Sequence, residues 1–332
     1  MERISPRAAG SPRGRYAPSP TGRLHVGNAR TALLAWLSCR ARGGTFVLRS
    51  EDLDSARVLP DGETALMEDL AWLGLDWDEG PERDGGGGGP FGPYRQSERS
   101  ASYDAAIDRL LRGGKAYPCA CSRAEVARAA SAPHGPEDEG PRYSGTCRRL
   151  APDEVAARAR AASRDPAIRF ASEGERIAFV DEVHGVVAPL GPLGVDDFVL
   201  RRADGVAAYQ LAVVVDDAAM RIDEVVRGDD LLASTPRQIA LYRALELPLP
   251  TFAHVPLLLD ASGERLAKRT RPPSLASLRE GGTPPAVVVG RLAASAGLCP
   301  PDGRLSARDL LSSLSAGDIW ARLDRRPAVW MG

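Results

Sequence analysis

The sequence predicts an α/β protein whose main domain is a parallel, doubly wound sheet. Three observations point there. Strand-like and helix-like segments alternate through the first 75 residues, as in successive βαβ units. After a middle stretch of different texture, buried-strand character returns at "LAVVV" (211–215). At 332 residues the chain can hold one large core or two to three small ones.

The elements follow in order. "RYAPSP" (15–20) is β-prone and broken by Pro18 and Pro20, which suits a strand running into a turn. From Val26 to Arg42, Leu33, Leu34, Leu37 and the intervening alanines recur at helical spacing. "TFVLRS" (45–50) is a compact strand with Arg49 on its polar phase. "DGETALMEDLAWLGL" (61–75) opens on a capping residue and puts Leu66, Leu70 and Leu73 on one face, so it predicts a helix. "DGGGGGPFGP" (84–93) predicts a flexible inserted loop, without the lysine that would make a phosphate-binding loop of its glycines. Residues 100–113 predict a helix, "AIRF" (167–170) and "RIAFVDEVHGVV" (176–187) antiparallel strands, and "LAVVV" a core strand. A helix is expected after Ser234, then a mostly helical C-terminus.

Composition narrows the function. The hydrophobic share of 43% and charged share of 26% are those of an ordinary globular protein. A formal charge of −1 excludes a chain that holds nucleic acid by gross basicity, so any such contact needs a local patch. No apolar run approaches the roughly 20 residues of a membrane span. No apolar stretch follows the charged N-terminus either, so a secretory signal is not expected. Five cysteines make no disulfide framework; a reducing cytoplasm with a metal site or free thiols is the expectation.

"PSPTGRLHVGN" (18–28) places His25 and Gly27 where a strand gives way to a helix. Backbone N–H groups at a helix start face an anion, and glycine permits close approach. A second feature lies far downstream. Of 43 basic residues 41 are arginine, yet Lys268 stands in the polar stretch "GERLAKRTRP" (263–272).

"RYAPSPTGRLHVGNARTALLAWL", "VVRGDDLLASTPRQIALYRAL" and "RLAKR" together resemble, in order, the landmarks of the glutamyl-tRNA synthetases and their class I relatives. The resemblance covers most of residues 13–270. It implies a Rossmann-type catalytic domain and ATP-dependent activation of L-glutamate, with Mg²⁺ accompanying ATP. "HVGN" stands for the family's "HIGH" and "RLAKR" for its "KMSKS". His25 and Lys268 are then the catalytic candidates, and Pro18, His25, Gly27, Asn28, Arg265 and Lys268 the ATP-binding ones. Asn28 replaces a histidine and Arg265 a lysine of those motifs, which implies altered rates rather than a dead site. Lysine delivers a compact, mobile ammonium to a triphosphate, whereas arginine offers a planar fork.

The same resemblance places Arg15, Tyr16, Ala17, Pro18, Ser19, Glu51, Tyr209 and Arg227 around glutamate. Glu51 would accept the α-ammonium, while Arg15 and Arg227 would hold carboxylate.

Cys119, Cys121 and Cys147, with Tyr143 four residues before the last, form a C-x-C…Y-x-x-x-C pattern. Three thiolates and a phenolate could close a tetrahedral Zn²⁺ site, with His134 a rival fourth ligand. The pattern is similar to the zinc site of the glutamyl-Q tRNA(Asp) synthetases, short paralogues of glutamyl-tRNA synthetase. Cys39 and Cys299 have no place in it and are expected to pack.

About 60 residues follow Lys268, too few for a large helical anticodon-binding domain. The implied architecture has a first catalytic half at 1–99, with 1–12 a frayed tail, and a zinc-bearing insertion at 100–205. A second half follows at 206–250, then the "KMSKS"-like loop and helical stem-contact segment at 251–332. The implied function is tRNA-independent glutamate activation and transfer to queuosine in the anticodon stem-loop of tRNA(Asp), by a cytoplasmic monomer. A truncated enzyme charging a tRNA 3′ end and a degenerate RNA-binding relative are the alternatives.

Overall fold

The computed structural model describes residues 11–83, 86–129, 142–189, 194–260, 266, 273–314 and 318–330. The chain opens with β1 (Arg13–Tyr16), α1 (Val26–Arg40), β2 (Thr45–Leu48) and α2 (Gly62–Trp72). This is the expected alternation, with α1 running on helical spacing until the turn at residues 41–43. Where the glycine run predicts a loop, β3 (Gly80–Arg83) pairs antiparallel with β4 (Gly86–Gly88).

The middle of the chain contains α3 (Ser100–Arg112), β5 (Ala116–Cys119), α4 (Arg123–Ala129), α5 (Pro152–Ala161) and β6 (Ala167–Phe170). It continues with β7 (Phe179–Asp181), β8 (Gly185–Val187) and β9 (Val199–Arg201). Then come α6 (Tyr209–Ala219), β10 (Glu224–Gly228), α7 (Thr235–Ala244), β11 (Thr251–Val255) and β12 (Leu258–Leu259). Four helices, α8 (Leu275–Glu280), α9 (Pro285–Ser295), α10 (Ala307–Ser312) and α11 (Asp318–Arg322), precede β13 (Ala328–Val329), which pairs with β12.

Six strands form the main sheet in the order β2-β1-β10-β11-β7-β8. The first five run parallel and β8 returns antiparallel to β7, so the sheet is mixed rather than wholly parallel. Because β1 has β2 on one side and β10 on the other, the winding reverses there. At such a point the carboxyl ends of the strands part and leave a crevice. A separate antiparallel sheet, β5-β6-β9, carries the cysteine-rich region. The hairpin β7–β8 lies within the stretch 100–205 yet belongs to the main sheet.

The expected strand at "LAVVV" is a correction: residues 211–215 lie in α6. A short apolar run rich in valine fits either element, and length decides for the helix once "DDAA" is counted in. Helical spacing also turns Asp216 and Asp217 inward, where arginines meet them. The second correction concerns Arg49, which is fully buried rather than on a polar face.

One face of the sheet is covered by α1 and α2 with the C-terminal helices, where Trp36, Leu70, Leu292, Leu310 and Ile319 share a core. The other is covered by α3, α6 and α7 through Ile107, Leu211, Val214 and Leu241. Arg30 of α1 donates from Nε to Ser295 Oγ (3.1 Å) and from Nη2 to the Ser295 carbonyl (3.2 Å), tying α9 to the catalytic half. Among the described residues, no helix is long and apolar enough to cross a membrane. Cys39 is fully buried and Cys299 packs beside the first core, as expected of packing residues.

Candidate active site

The loops leaving β1 and β2 are stitched together. Arg49 N–H donates to the Tyr16 carbonyl (3.0 Å), and Glu51 N–H to the Pro18 carbonyl (3.0 Å). Farther on, Leu59 N–H reaches the Pro20 carbonyl (3.1 Å). Gly62 begins α2 against that same carbonyl, which any β-carbon there would overlap. Prolines in "RYAPSP" and the glycine of "DGET" thus fix the path of residues 17–20, with Ala17 and Pro18 half-buried and Ser19 exposed. Tyr16 is buried beneath, its hydroxyl donating to the Asn28 carbonyl at 3.4 Å.

Within the crevice, charges alternate. Asp217 of α6 accepts from Arg49 Nη1 (2.6 Å) and lies 3.4 Å from Arg15 Nε. Arg15 also donates to the Val226 carbonyl (3.1 Å). Arg49 Nη2 donates to Glu51 (3.1 Å). Burial pushes the Asp217 carboxyl up, but Arg49 and Arg15 outweigh it and hold the group below the usual carboxylate range. At Glu51 burial wins over Arg49 and the carboxyl is raised. Asp216 accepts from Gln96 (2.8 Å), Arg99 (2.5 Å) and Tyr103 (2.9 Å), which fastens α6 to α3 and the segment before it.

Arg227 is the penultimate residue of β10 and is buried. Its Nε donates to His254 Nε2 (3.0 Å), its Nη2 to Thr235 Oγ1 (2.8 Å), and its Nη1 reaches the Tyr209 hydroxyl (3.5 Å). Tyr209 begins α6 and remains 37% exposed, so the pair opens on solvent. Arg15, Glu51, Tyr209 and Arg227 come from four different elements and meet around this one crevice.

His25 caps the start of α1 with extended backbone, and its side chain is exposed, as is Asn28. Asp69 of α2 accepts the Leu24 N–H (2.9 Å) and steadies the turn. Beyond Gly27 nothing lies within 4 Å of where a β-carbon would stand. From the far end of the chain, Ser274 pairs with His25 as an isolated β-bridge, Val26 N–H donates to the Pro273 carbonyl (3.3 Å), and Leu275 N–H to the Leu24 carbonyl (2.8 Å). Lys268 and Arg265 lie outside the described residues. Leu266 between them is described, buried in the first core, with its N–H on the Leu258 carbonyl (3.3 Å).

A second site lies at the end of β5. The sulfurs of Cys119, Cys121 and Cys147 all fall within 4.8 Å of one another. The Tyr143 hydroxyl stands 3.3 Å from Cys119 Sγ and 3.5 Å from Cys121 Sγ, and it accepts the Cys147 N–H at 2.8 Å. Cys121 and Cys147 are 3.5 Å apart. Four ligands about 2.3 Å from a tetrahedral ion would lie near 3.8 Å from one another, so this donor set fits a metal. Buried Arg169 donates to Cys119 Sγ (3.3 Å) and lies 3.9 Å over the Tyr143 ring, placing positive charge beside the cluster. His134, the rival ligand, lies outside the described residues.

The model of the class I (E and Q) tRNA synthetase catalytic domain matches residues 12–302. The chain belongs to that family. It is 53% identical to the glutamyl-Q tRNA(Asp) synthetase of Symbiobacterium thermophilum, over 95% of this chain and 94% of the relative. Identity to the protein of that name from Nitratidesulfovibrio vulgaris is 48%, over 96% and 95%. A crystal structure of glutamate-tRNA synthetase from Elizabethkingia anophelis superposes with a TM-score of 0.80 at 28% identity, covering 97% of this chain and 68% of that one. The chain is thus a ligase-type enzyme of the class I synthetases, a family whose chemistry uses ATP, an amino acid and tRNA.

For this synthetase, sequence reasoning overlooked the groups that hold the arginines in place. Asp216 and Asp217 were hidden by the strand assignment; Arg49 was read as surface. Asp181, Thr235 and His254 are scattered in sequence and meet only through the sheet.

Proposed function

We propose that the enzyme activates L-glutamate with ATP, independently of tRNA, and transfers it to queuosine at the first anticodon position of tRNA(Asp). The observation that carries this reading is the convergence of Arg15, Glu51, Tyr209 and Arg227 at the switch point, beside the His25 turn. Around that crevice three guanidiniums, those of Arg15, Arg49 and Arg227, face two carboxylates, those of Glu51 and Asp217. Glutamate, with two carboxylates and one ammonium, asks for such guanidiniums and an acid together. Glu51 accepts the α-ammonium; its raised carboxyl gains from a cation. Arg15 and Arg227 hold carboxylate, with Tyr16, Ala17, Pro18 and Ser19 forming the wall.

ATP lies along the start of α1, over Pro18, His25, Gly27 and Asn28, with Mg²⁺ as its counter-ion. His25 donates to the phosphates, and the helix start adds oriented N–H groups. Lys268 and Arg265 neutralise charge as pyrophosphate departs. The pairing of Ser274 with His25, six residues after Lys268, supports bringing that lysine to the same place. Zn²⁺ at Cys119, Cys121, Tyr143 and Cys147 would be structural, cross-linking the insertion. The first step leaves glutamyl-adenylate; the second passes its glutamyl group to a ring hydroxyl of queuosine, breaking the acyl–phosphate bond and releasing AMP and a proton, and positioning alone is asked of the protein there. The high identity to two glutamyl-Q tRNA(Asp) synthetases supports this acceptor. The reading has the catalytic domain split by the insertion at 100–205 and the protein working as a cytoplasmic monomer.

Two assays test it. Glutamate-dependent exchange of pyrophosphate into ATP without tRNA should proceed; none at all overturns the activation step. Labelled glutamate should then join tRNA(Asp) that carries queuosine and spare the same tRNA lacking it. Equal labelling of both would overturn the transfer step.

A further inference from the structure

We infer that His254 is a positioning residue for substrate recognition, a neutral imidazole that fixes the Arg227 guanidinium so that its Nη1 edge, with the Tyr209 hydroxyl, faces the substrate carboxylate. The inference rests on the reading of Arg227 as a glutamate ligand. Arg227 and His254 are register partners on the neighbouring parallel strands β10 and β11, so their side chains emerge together. His254 Nε2 lies 3.0 Å from the Arg227 Nε that donates to it. An acceptor is needed there, and a ring nitrogen accepts only when it carries no proton.

The proton belongs on the other nitrogen. His254 Nδ1 is 2.6 Å from Asp181 Oδ2, and the backbone N–H of His254 donates to the same oxygen at 3.1 Å. Oδ1 of Asp181 is occupied by the N–H groups of Val183 (2.9 Å) and His184 (3.0 Å). The carboxylate therefore faces donors on every side and can only accept, which assigns the Nδ1–H tautomer. Thr235 completes the clamp: Oγ1 accepts from Arg227 Nη2 at 2.8 Å and sits 3.0 Å from His254 Nε2.

Asp181, Thr235 and His254 are each 1% exposed or less, and Arg227 5%. Water cannot replace these partners. A protonated ring would set a second cation and an unwanted donor against the guanidinium. Two of the three nitrogens of Arg227 are thereby spent on protein, and its planar fork has one edge left for ligand. Asp181 comes from β7, so the orientation of a substrate-binding arginine depends on a strand contributed by the middle of the chain.

The test compares variants by glutamate-dependent pyrophosphate exchange and direct glutamate binding. His254→Met removes the acceptor at similar volume and should raise the glutamate KM about 10- to 100-fold, with the ATP KM nearly unchanged. His254→Gln, which can offer an amide oxygen near the position of Nε2, should recover most of that loss. Arg227→Gln is measured in parallel. If it leaves glutamate affinity intact, the underlying ligand assignment fails; if it weakens affinity while His254→Met does not, the positioning role alone fails. Should the methionine variant not fold, the wild-type protein decides. ¹⁵N spectra of its four histidines at pH 7 should show one buried ring protonated at Nδ1 only. A ring protonated at Nε2, or at both nitrogens, overturns the inference.

Discussion

Replacing Gly27 with alanine should separate folding from nucleotide binding, because the two effects have opposite signs. In the fold the added methyl meets no atom within 4 Å, and Gly27 sits inside the first turn of α1. Alanine in place of a helical glycine stabilises by about 0.5–1 kcal/mol, at the lower end near a helix start. For a chain this large that corresponds to a rise of about 1 °C in Tm. If phosphate oxygens approach the helix start, the same methyl occupies the space they need. A steric intrusion costing about 1.4–3 kcal/mol would raise the ATP KM about 10- to 100-fold, while the glutamate KM stays near wild type. Thermal unfolding without ligand and pyrophosphate exchange at varied ATP measure the two effects on one preparation. A lower Tm would mean that the space is not free. An unchanged ATP KM in a protein of normal or higher Tm would refute the placement of nucleotide over Gly27.

Lys268→Met should slow pyrophosphate exchange about 10²–10³-fold, as loss of one transition-state donor does, with glutamate affinity kept; a wild-type rate would return this lysine to the solvated surface. Purified protein should contain one zinc per chain by elemental analysis, and Cys147→Ser should lose it. Tyr143→Phe should bind Co²⁺ more weakly, with an altered visible spectrum; an unchanged spectrum removes the phenol from the ligand set. Acid should expose His254. Burial lowers its pKa from 6.5 to about 4, with Arg227 and His184 acting in the same direction and Asp181 opposing. Between those values the unfolded chain binds the proton first, so stability falls as pH drops from 6.5 towards 4, by up to about 3 kcal/mol. Urea unfolding at pH 7 and pH 4.5 should show a smaller loss for His254→Gln than for wild type, and equal losses would contradict this.

The first 75 residues were legible because each element there is locally consistent. Prolines follow β1, α1 runs on helical spacing and α2 begins at Gly62 after Asp61, although the Asp61 side chain makes no capping hydrogen bond. "LAVVV" was not legible in that way. Valine favours a strand when read alone; the helix shows only when the window is widened to Tyr209–Ala219, and the arginines that meet Asp216 and Asp217 lie more than 100 residues earlier. Arg49 misled for the same reason: a charged residue at the end of a strand reads as surface until its acidic partners are known. Arg15, Glu51, Tyr209 and Arg227 were visible through resemblance rather than through pattern, since each is unremarkable in its own window. The clamp on Arg227 left no sequence signal, because Asp181, Thr235 and His254 lie at unrelated spacings. The cysteine pattern was the opposite case, flagged by its spacing before the fold brought Cys147 back to Cys119 and Cys121.

The placement of β7 in the main sheet bears on how this molecule can be re-engineered. Its middle portion is woven into the catalytic layer, not appended to it. A chimera that exchanges residues 100–205 wholesale would swap out the aspartate that His254 rests on along with the three clustered cysteines, and so disturb the main sheet while aiming only at the cysteine-rich part. Splice points drawn between β6 and β7 would keep that carboxylate but part β6 from its sheet partner β9, so an exchange on that side must carry both strands of the pair.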